Sequence, residues 1–277
     1  MFIAIYKSTI KNLLRSVTFW LTLSVLLIVV MQGSIEGFYL GDDDPAFTLS
    51  YQSYIQCIGN ALISTIMMFA MPLFSIVSVI LVLNRDFGDN FFEIEKAANI
   101  KPLKYLLSRL FALVCVNFAV LLIMNYLCTY WYIFTRGGVE ELTTTQMIFE
   151  TIIRVLRADT FVGMPTLIFY IGFTYFVGSL FKNGIPAAIT SMAYAICFYA
   201  GYLRLRFQIP EGYFDYFSPI PQKLHLYFHY YDTEWFEHTL TQYRTSLKDA
   251  FLCITFLVGI ATLFSILSFL NVKKRTV

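Results

Sequence analysis

Charged residues are missing from six long stretches of the chain: residues 16–35, 45–84, 110–135, 160–181, 183–203 and 250–272. Each holds 20 or more residues without Lys, Arg, Asp or Glu. A helix rising about 1.5 Å per residue needs about 20 residues to cross a hydrocarbon core of roughly 30 Å. The pattern predicts an all-α membrane protein with six transmembrane helices, the second lying within residues 45–84. Pro72 falls inside that second stretch, where a missing N–H and a ring that crowds the preceding turn predict a flex point.

Ahead of the first span the period of the pattern changes. Phe2, Tyr6, Ile10, Leu13 and Val17 recur at three- and four-residue steps, and Lys7, Lys11 and Arg15 form a separate basic stripe. This predicts an amphipathic helix over residues 1–16, and two placements fit it. It lies in the inner interface with its cations near anionic headgroups, or it extends the first span into the cytoplasm. The apolar run that follows is longer than a signal-peptide core and lacks an A-x-A site, so it reads as an uncleaved helix.

Between the second and third spans, residues 84–104 form a polar connector with its own pattern. Asn90 and Glu93 have capping-box spacing, and Pro102 suits the first turn of the next helix. A short helix is expected between them, with Phe91, Ile94 and Ala98 on one face, Phe92 beside it, and Glu93 and Glu95 elsewhere. Adjacent aromatics on a connector fit either a protein partner or the lipid interface. The fourth and fifth spans meet at Lys182-Asn183-Gly184, a turn sequence. Gly172, Gly178 and Ser179 in the fourth span fit either close helix approach or ordinary lipid-facing packing. Residues 204–249 are dense in aromatics, among them Tyr227, Phe228, Tyr230, Tyr231, Trp235 and Phe236, which are expected to cap the bundle as an outer gate.

Charge then orients the helices. Placing both termini in the cytoplasm puts 12 basic and 4 acidic residues on the inner side, against 8 basic and 14 acidic outside. The formal net charge of +2 hides this polarity, and the inner excess of Lys and Arg is the topology signal. Composition agrees, with 58% hydrophobic and 14% charged residues. That leaves no room for a separate soluble domain, so residues 1–277 read as a single transmembrane domain.

Chemistry is sparse. His225 and His229 are four apart, but Leu226 stands where a zinc protease carries its Glu, and two imidazoles are few ligands for zinc. The five cysteines fall in or beside spans without C-x-x-C spacing and read as packing residues. Glu140-Glu141 lies in a loop, and no G-x-S-x-G elbow occurs. No catalytic residue and no metal site is expected. The spans themselves hold Asn60, Asn117 and Asn125 but no ionisable group that would carry a coupling ion. No phosphate-binding G-x-x-x-x-G-K-[ST] loop is present, so a chain that transports actively needs an ATPase supplied by another subunit.

Together these features resemble a permease subunit of the ABC-2 type, the membrane part of a bacterial ABC exporter. The resemblance rests on the basic amphipathic N-terminal helix, six spans with both ends inside, and the stretch from Arg85 to Arg109. That stretch carries Glu93-x-Glu95-Lys96 and Lys101-Pro102-x-Lys104-Tyr105. The outer loop over residues 135–159 has no counterpart in that pattern. The resemblance implies that Phe91, Phe92, Glu93, Ile94 and Glu95 enter a groove of an ABC ATPase subunit, with Arg85 and Asp86 at its rim. It implies a re-entrant outer segment before the last span, a second permease copy, and location in the bacterial cytoplasmic membrane. ATP and Mg would be bound by the partner, no cofactor by this chain, and no nucleic acid is involved. A carrier or channel not driven by ATP, or a membrane anchor recruiting a partner, is the alternative expectation.

Overall fold

The computed structural model describes residues 2–38, 70–88, 101–135, 142–181, 183–205 and 247–276. Among them every regular element is a helix: α1 Phe2–Arg15, α2 Val17–Phe38, α3 Met71–Gly88, α4 Pro102–Thr135, α5 Thr144–Ala158, α6 Met164–Phe181, α7 Gly184–Leu205 and α8 Leu247–Thr276. A π-helical turn, Asp159–Gly163, joins α5 to α6. Three segments are long and apolar enough to cross a membrane alone: Pro102–Trp131, Met164–Phe181 and Phe251–Asn271. The pair α1–α2 makes a fourth if the two helices count as one broken span. Within the stretch expected as the second span the described residues hold α3, and residues 45–69 lie outside them; α3 is not among the helices long and apolar enough to cross. Within the expected fifth, α7 is 22 residues long but only a shorter apolar helix over Gly184–Ile196.

The start of the chain is a helix in its own right, bent by 63° from the one that follows. Ser16 makes the break. Its N–H donates to Leu13 O at 3.0 Å, closing α1, and its Oγ accepts from Phe19 N at 3.4 Å, opening α2 as an N-cap. Trp20 Nε1 donates to Leu14 O at 2.6 Å, so a side chain of α2 satisfies a carbonyl that the end of α1 leaves open. The buried face of α1 is Ile5, Thr9 and Leu13. It is rotated from the expected stripe: Val17 is 79% exposed, while Phe2 and Tyr6 touch the edge of Phe111 at 6.5 and 5.6 Å between rings. The rotation has a physical cause, because α1 packs along α4 and that neighbour selects the face.

At the centre stands α6. Twelve of its eighteen residues are buried, and it packs against α8, α3, α7 and α4. A helix apolar on every side belongs in the middle of a bundle. Its contacts need small residues. A Cβ on Gly172 would lie 3.2 Å from the carbonyl oxygen of Ala261 in α8, and one on Gly178 would overlap the side chain of Leu83 in α3. Rings fill the space between α6, α7 and α8: Phe173 lies 4.9 Å from Tyr194 and 5.4 Å from Phe264, and Phe176 stacks on Phe264 at 5.4 Å. Around this centre the outer helices turn apolar side chains outward, including Leu21 and Ile28 of α2, Ile123 and Trp131 of α4, Ile189 of α7, and Phe251 and Ile266 of α8. So broad an apolar exterior is compatible with a multi-pass membrane protein.

Two helix starts show local sequence at work. Asn183 caps α7 by accepting from Ile185 N at 2.9 Å, and the first residue of that helix is Gly184, which abuts Asn84 of α3. In the loop over residues 135–159 the unexpected element is α5. Thr143 N donates to Gln146 Oε1 at 3.1 Å and Gln146 N to Thr143 Oγ1 at 3.4 Å, a capping box.

Glycine substitutions test this packing. Gly178→Ala should cost about 1–3 kcal/mol, because Leu83 is fully buried and has nowhere to move. Gly184→Ala meets the exposed side chain of Asn84, which can turn away, and Ile80 Cγ2 at 3.1 Å, which must give slightly, so it should cost less. Thermal unfolding in mild detergent reads the difference as a larger fall in melting temperature for the first variant.

Candidate functional site

The chemistry of the described residues gathers where α1, α3 and α4 meet. Pro102 occupies the first position of α4, with Lys101 O accepting from Tyr105 N at 3.2 Å, so the helix begins where the proline places it. Two turns on, Arg109 points inward and is only 2% exposed, and Asp86 in the last turn of α3 is 0% exposed. Arg109 NH2 donates to Asp86 Oδ1 at 2.8 Å and NH1 donates to Thr9 Oγ1 at 2.7 Å. Thr9 passes its own proton to Ile5 O at 2.8 Å, so its hydroxyl is engaged as donor and acceptor. The ring of Tyr105 lies 5.0 Å from the guanidinium carbon, adding a cation–π contact. One side chain thus bonds all three helices.

Burial makes this junction costly to disturb. A charge taken out of water is tolerated when it is paired and hydrogen-bonded, and removing one partner leaves the other charged in a poor solvent. Arginine suits the position because its planar fork reaches two acceptors at once and stays charged.

Beside the junction is a cavity of about 200 Å³. Thr9, Asn12 and Arg15 of α1, Ser16 at the break, Arg85 of α3 and Arg109 of α4 form its polar lining. Leu13, Leu81 and Val82 close the apolar side. The lining residues carry three guanidinium groups and no carboxylate.

Of the residues singled out from sequence, Arg85 lines this cavity and is half-buried. Asp86, expected beside it at an outward rim, is instead fully enclosed and turned to Arg109. Pro72 sits in the first turn of α3 and is buried, just after a π-helical residue at Ala70. Phe91, Phe92, Glu93, Ile94 and Glu95 lie outside the described residues. So do the outer-gate aromatics Tyr227, Phe228, Tyr230, Tyr231, Trp235 and Phe236, and the pair His225 and His229. Thr9 was not singled out, although a lone hydroxyl between Ile5 and Leu13 on a helix face is a visible signal. Within the bundle the hydroxyls of Ser75, Tyr170, Thr174 and Ser191 are buried and have no hydrogen-bond partner among the described residues. No protein-family model matches the chain, and no curated protein matches it either.

Removing half of the ion pair should be far worse than removing all of it. Arg109→Met or Asp86→Leu alone should each cost about 3–5 kcal/mol, while the double variant regains most of the loss. Unfolding midpoints of the purified protein check this, and a double variant as unstable as the two losses added together would contradict it.

Proposed function

We propose that the chain is the membrane subunit of an ATP-driven exporter, with nucleotide hydrolysis on a separate ABC ATPase subunit. The observation that carries this reading is the buried bond between Arg109 and Asp86. It ties together the two helices that flank the polar connector of residues 89–100, α3 ending at Gly88 and α4 starting at Pro102. A force applied to the connector then reaches α3, α4 and, through Thr9, α1 as one body. Helices carry that movement well because their backbone groups are satisfied internally and the rods stay stiff.

In this mechanism the ATPase grips Phe91, Phe92 and Ile94 in an apolar groove, with Glu93 and Glu95 supplying charge and Arg85 standing near the entrance. Closure of two ATPase subunits around ATP and Mg brings the connectors of two permease copies together. The inner ends of α3 and α4 follow, α6 moves with them through the tight contact of Gly178 with Leu83, and the outer aromatic segment opens. Six spans with both termini in the cytoplasm, in a bacterial inner membrane, complete the proposed arrangement. The aromatic packing between α6, α7 and α8 suits an amphipathic or hydrophobic cargo such as a peptide, drug or lipid-like molecule.

The pair Phe91→Ala and Glu93→Ala tests it. Affinity purification of the native chain in mild detergent should bring down an ATPase, and the variant should insert in the membrane but lose both that partner and ATP-dependent export. Flux through the purified chain alone, with no nucleotide-hydrolysing companion, would instead favour a carrier or channel.

A further inference from the structure

We propose that the cavity at the α1–α3–α4 junction is a binding site for a phosphate group, presented by an anionic lipid of the leaflet in which α1 lies. The first argument is the donor set. Arg15 and Arg85 line the cavity, and Arg109 stays charged in its wall through Asp86. Arg15 makes no ion pair among the described residues. Asn12 uses one amide proton on Ser8 Oγ at 3.3 Å and keeps the other, and Ser16 accepts from Phe19 N while its hydroxyl proton stays available. Forked cations with neighbouring neutral donors are what a phosphate requires.

The second argument concerns potential. The cavity lies at the C-terminal end of α1, where open carbonyls would repel an anion. Here Leu13 O accepts from Ser16 N and Leu14 O from Trp20 Nε1, so two of those carbonyls are already engaged. The repulsion is blunted at the place where the anion would sit.

The third argument selects a lipid over a free ion. At about 200 Å³ the space equals several water volumes of about 30 Å³ each, more than a bare phosphate fills. One side is apolar, formed by Leu13, Leu81 and Val82, which suits the glycerol and first methylenes of a lipid. The neighbouring surface of α1 is that of a helix lying at a headgroup layer, with Ile3 and Leu14 exposed together with Lys7 and Lys11. This inference needs the chain to sit in a bilayer but does not depend on an ATPase.

Thermal unfolding of the full chain in a neutral detergent tests it, titrated with phosphatidylglycerol, phosphatidylcholine or inorganic phosphate. Phosphatidylglycerol should raise the melting temperature saturably, and the other two should do so weakly. Arg15→Gln combined with Asn12→Leu should weaken the apparent affinity for phosphatidylglycerol by about tenfold. Lys7→Gln combined with Lys11→Gln, which removes cations outside the cavity, should leave it nearly unchanged. Equal losses in the two variants, or no loss in the first, would overturn the site. Stabilisation by inorganic phosphate as strong as by the lipid would overturn the choice of ligand.

Discussion

A guanidinium group enclosed among helices must be given acceptors, and the end of the bundle where α1, α3 and α4 meet is arranged around that requirement. Arg109 is held by Asp86 and Thr9, 23 and 100 positions away in the chain. Meeting both bonds fixes the C-terminal end of α3 against α4 and brings the N-terminal helix back across them. The 63° break at Ser16 turns α1 out of the line of α2 and onto α4. The cap at Ser16 and the indole bond of Trp20 to Leu14 O then make the break a defined corner. Electrostatic demand, helix capping and apolar packing all point to the same placement of α1.

The axial helix α6 obeys a different constraint. It has no charge to satisfy and is held mainly by shape, with Gly172 and Gly178 admitting neighbours that a Cβ would crowd. Ser179 adds a polar tie near the end of the helix, accepting from Asn271 Nδ2 of α8 at 3.3 Å while its own hydroxyl donates to Phe176 O. In lipid, where tails are as apolar as leucine, close packing of this kind supplies much of the association between helices. The molecule thus combines a polar lock at one end with small-residue contacts along its length, and the two meet on α3, which carries both Asp86 and Leu83.

Much of the helical architecture was legible in the sequence because charge exclusion over membrane-spanning lengths is a coarse and repeated signal. The start of α4 was readable from the preference of Pro102 for a first helical turn, and the break before α7 from the Asn183-Gly184 turn sequence. The register of α1 was not. Its apolar positions form two candidate faces, and the choice depended on α4, which no local pattern reveals. The ion pair was hidden for a related reason: Asp86 and Arg109 each sit at the margin of an apolar run, where a charge ordinarily belongs to the solvated flank. Only the tertiary arrangement turns them inward. The helix α5 was missed although Thr143 and Gln146 have capping-box spacing, because its charged residues, including the pair Glu150 and Arg154 at 2.9 Å, made the segment read as a loop.

The central claim is that α1, the C-terminal end of α3 and the N-terminal end of α4 form one mechanical unit through Arg109. Amide hydrogen exchange of the detergent-solubilised protein, followed by mass spectrometry, measures this directly because helices that open together exchange together. The account predicts that in Thr9→Val, where Arg109 loses its bond to α1 alone, protection falls in peptides from all three helices and holds in α6. Exchange that rises in α1 alone, with α3 and α4 unchanged, would contradict it.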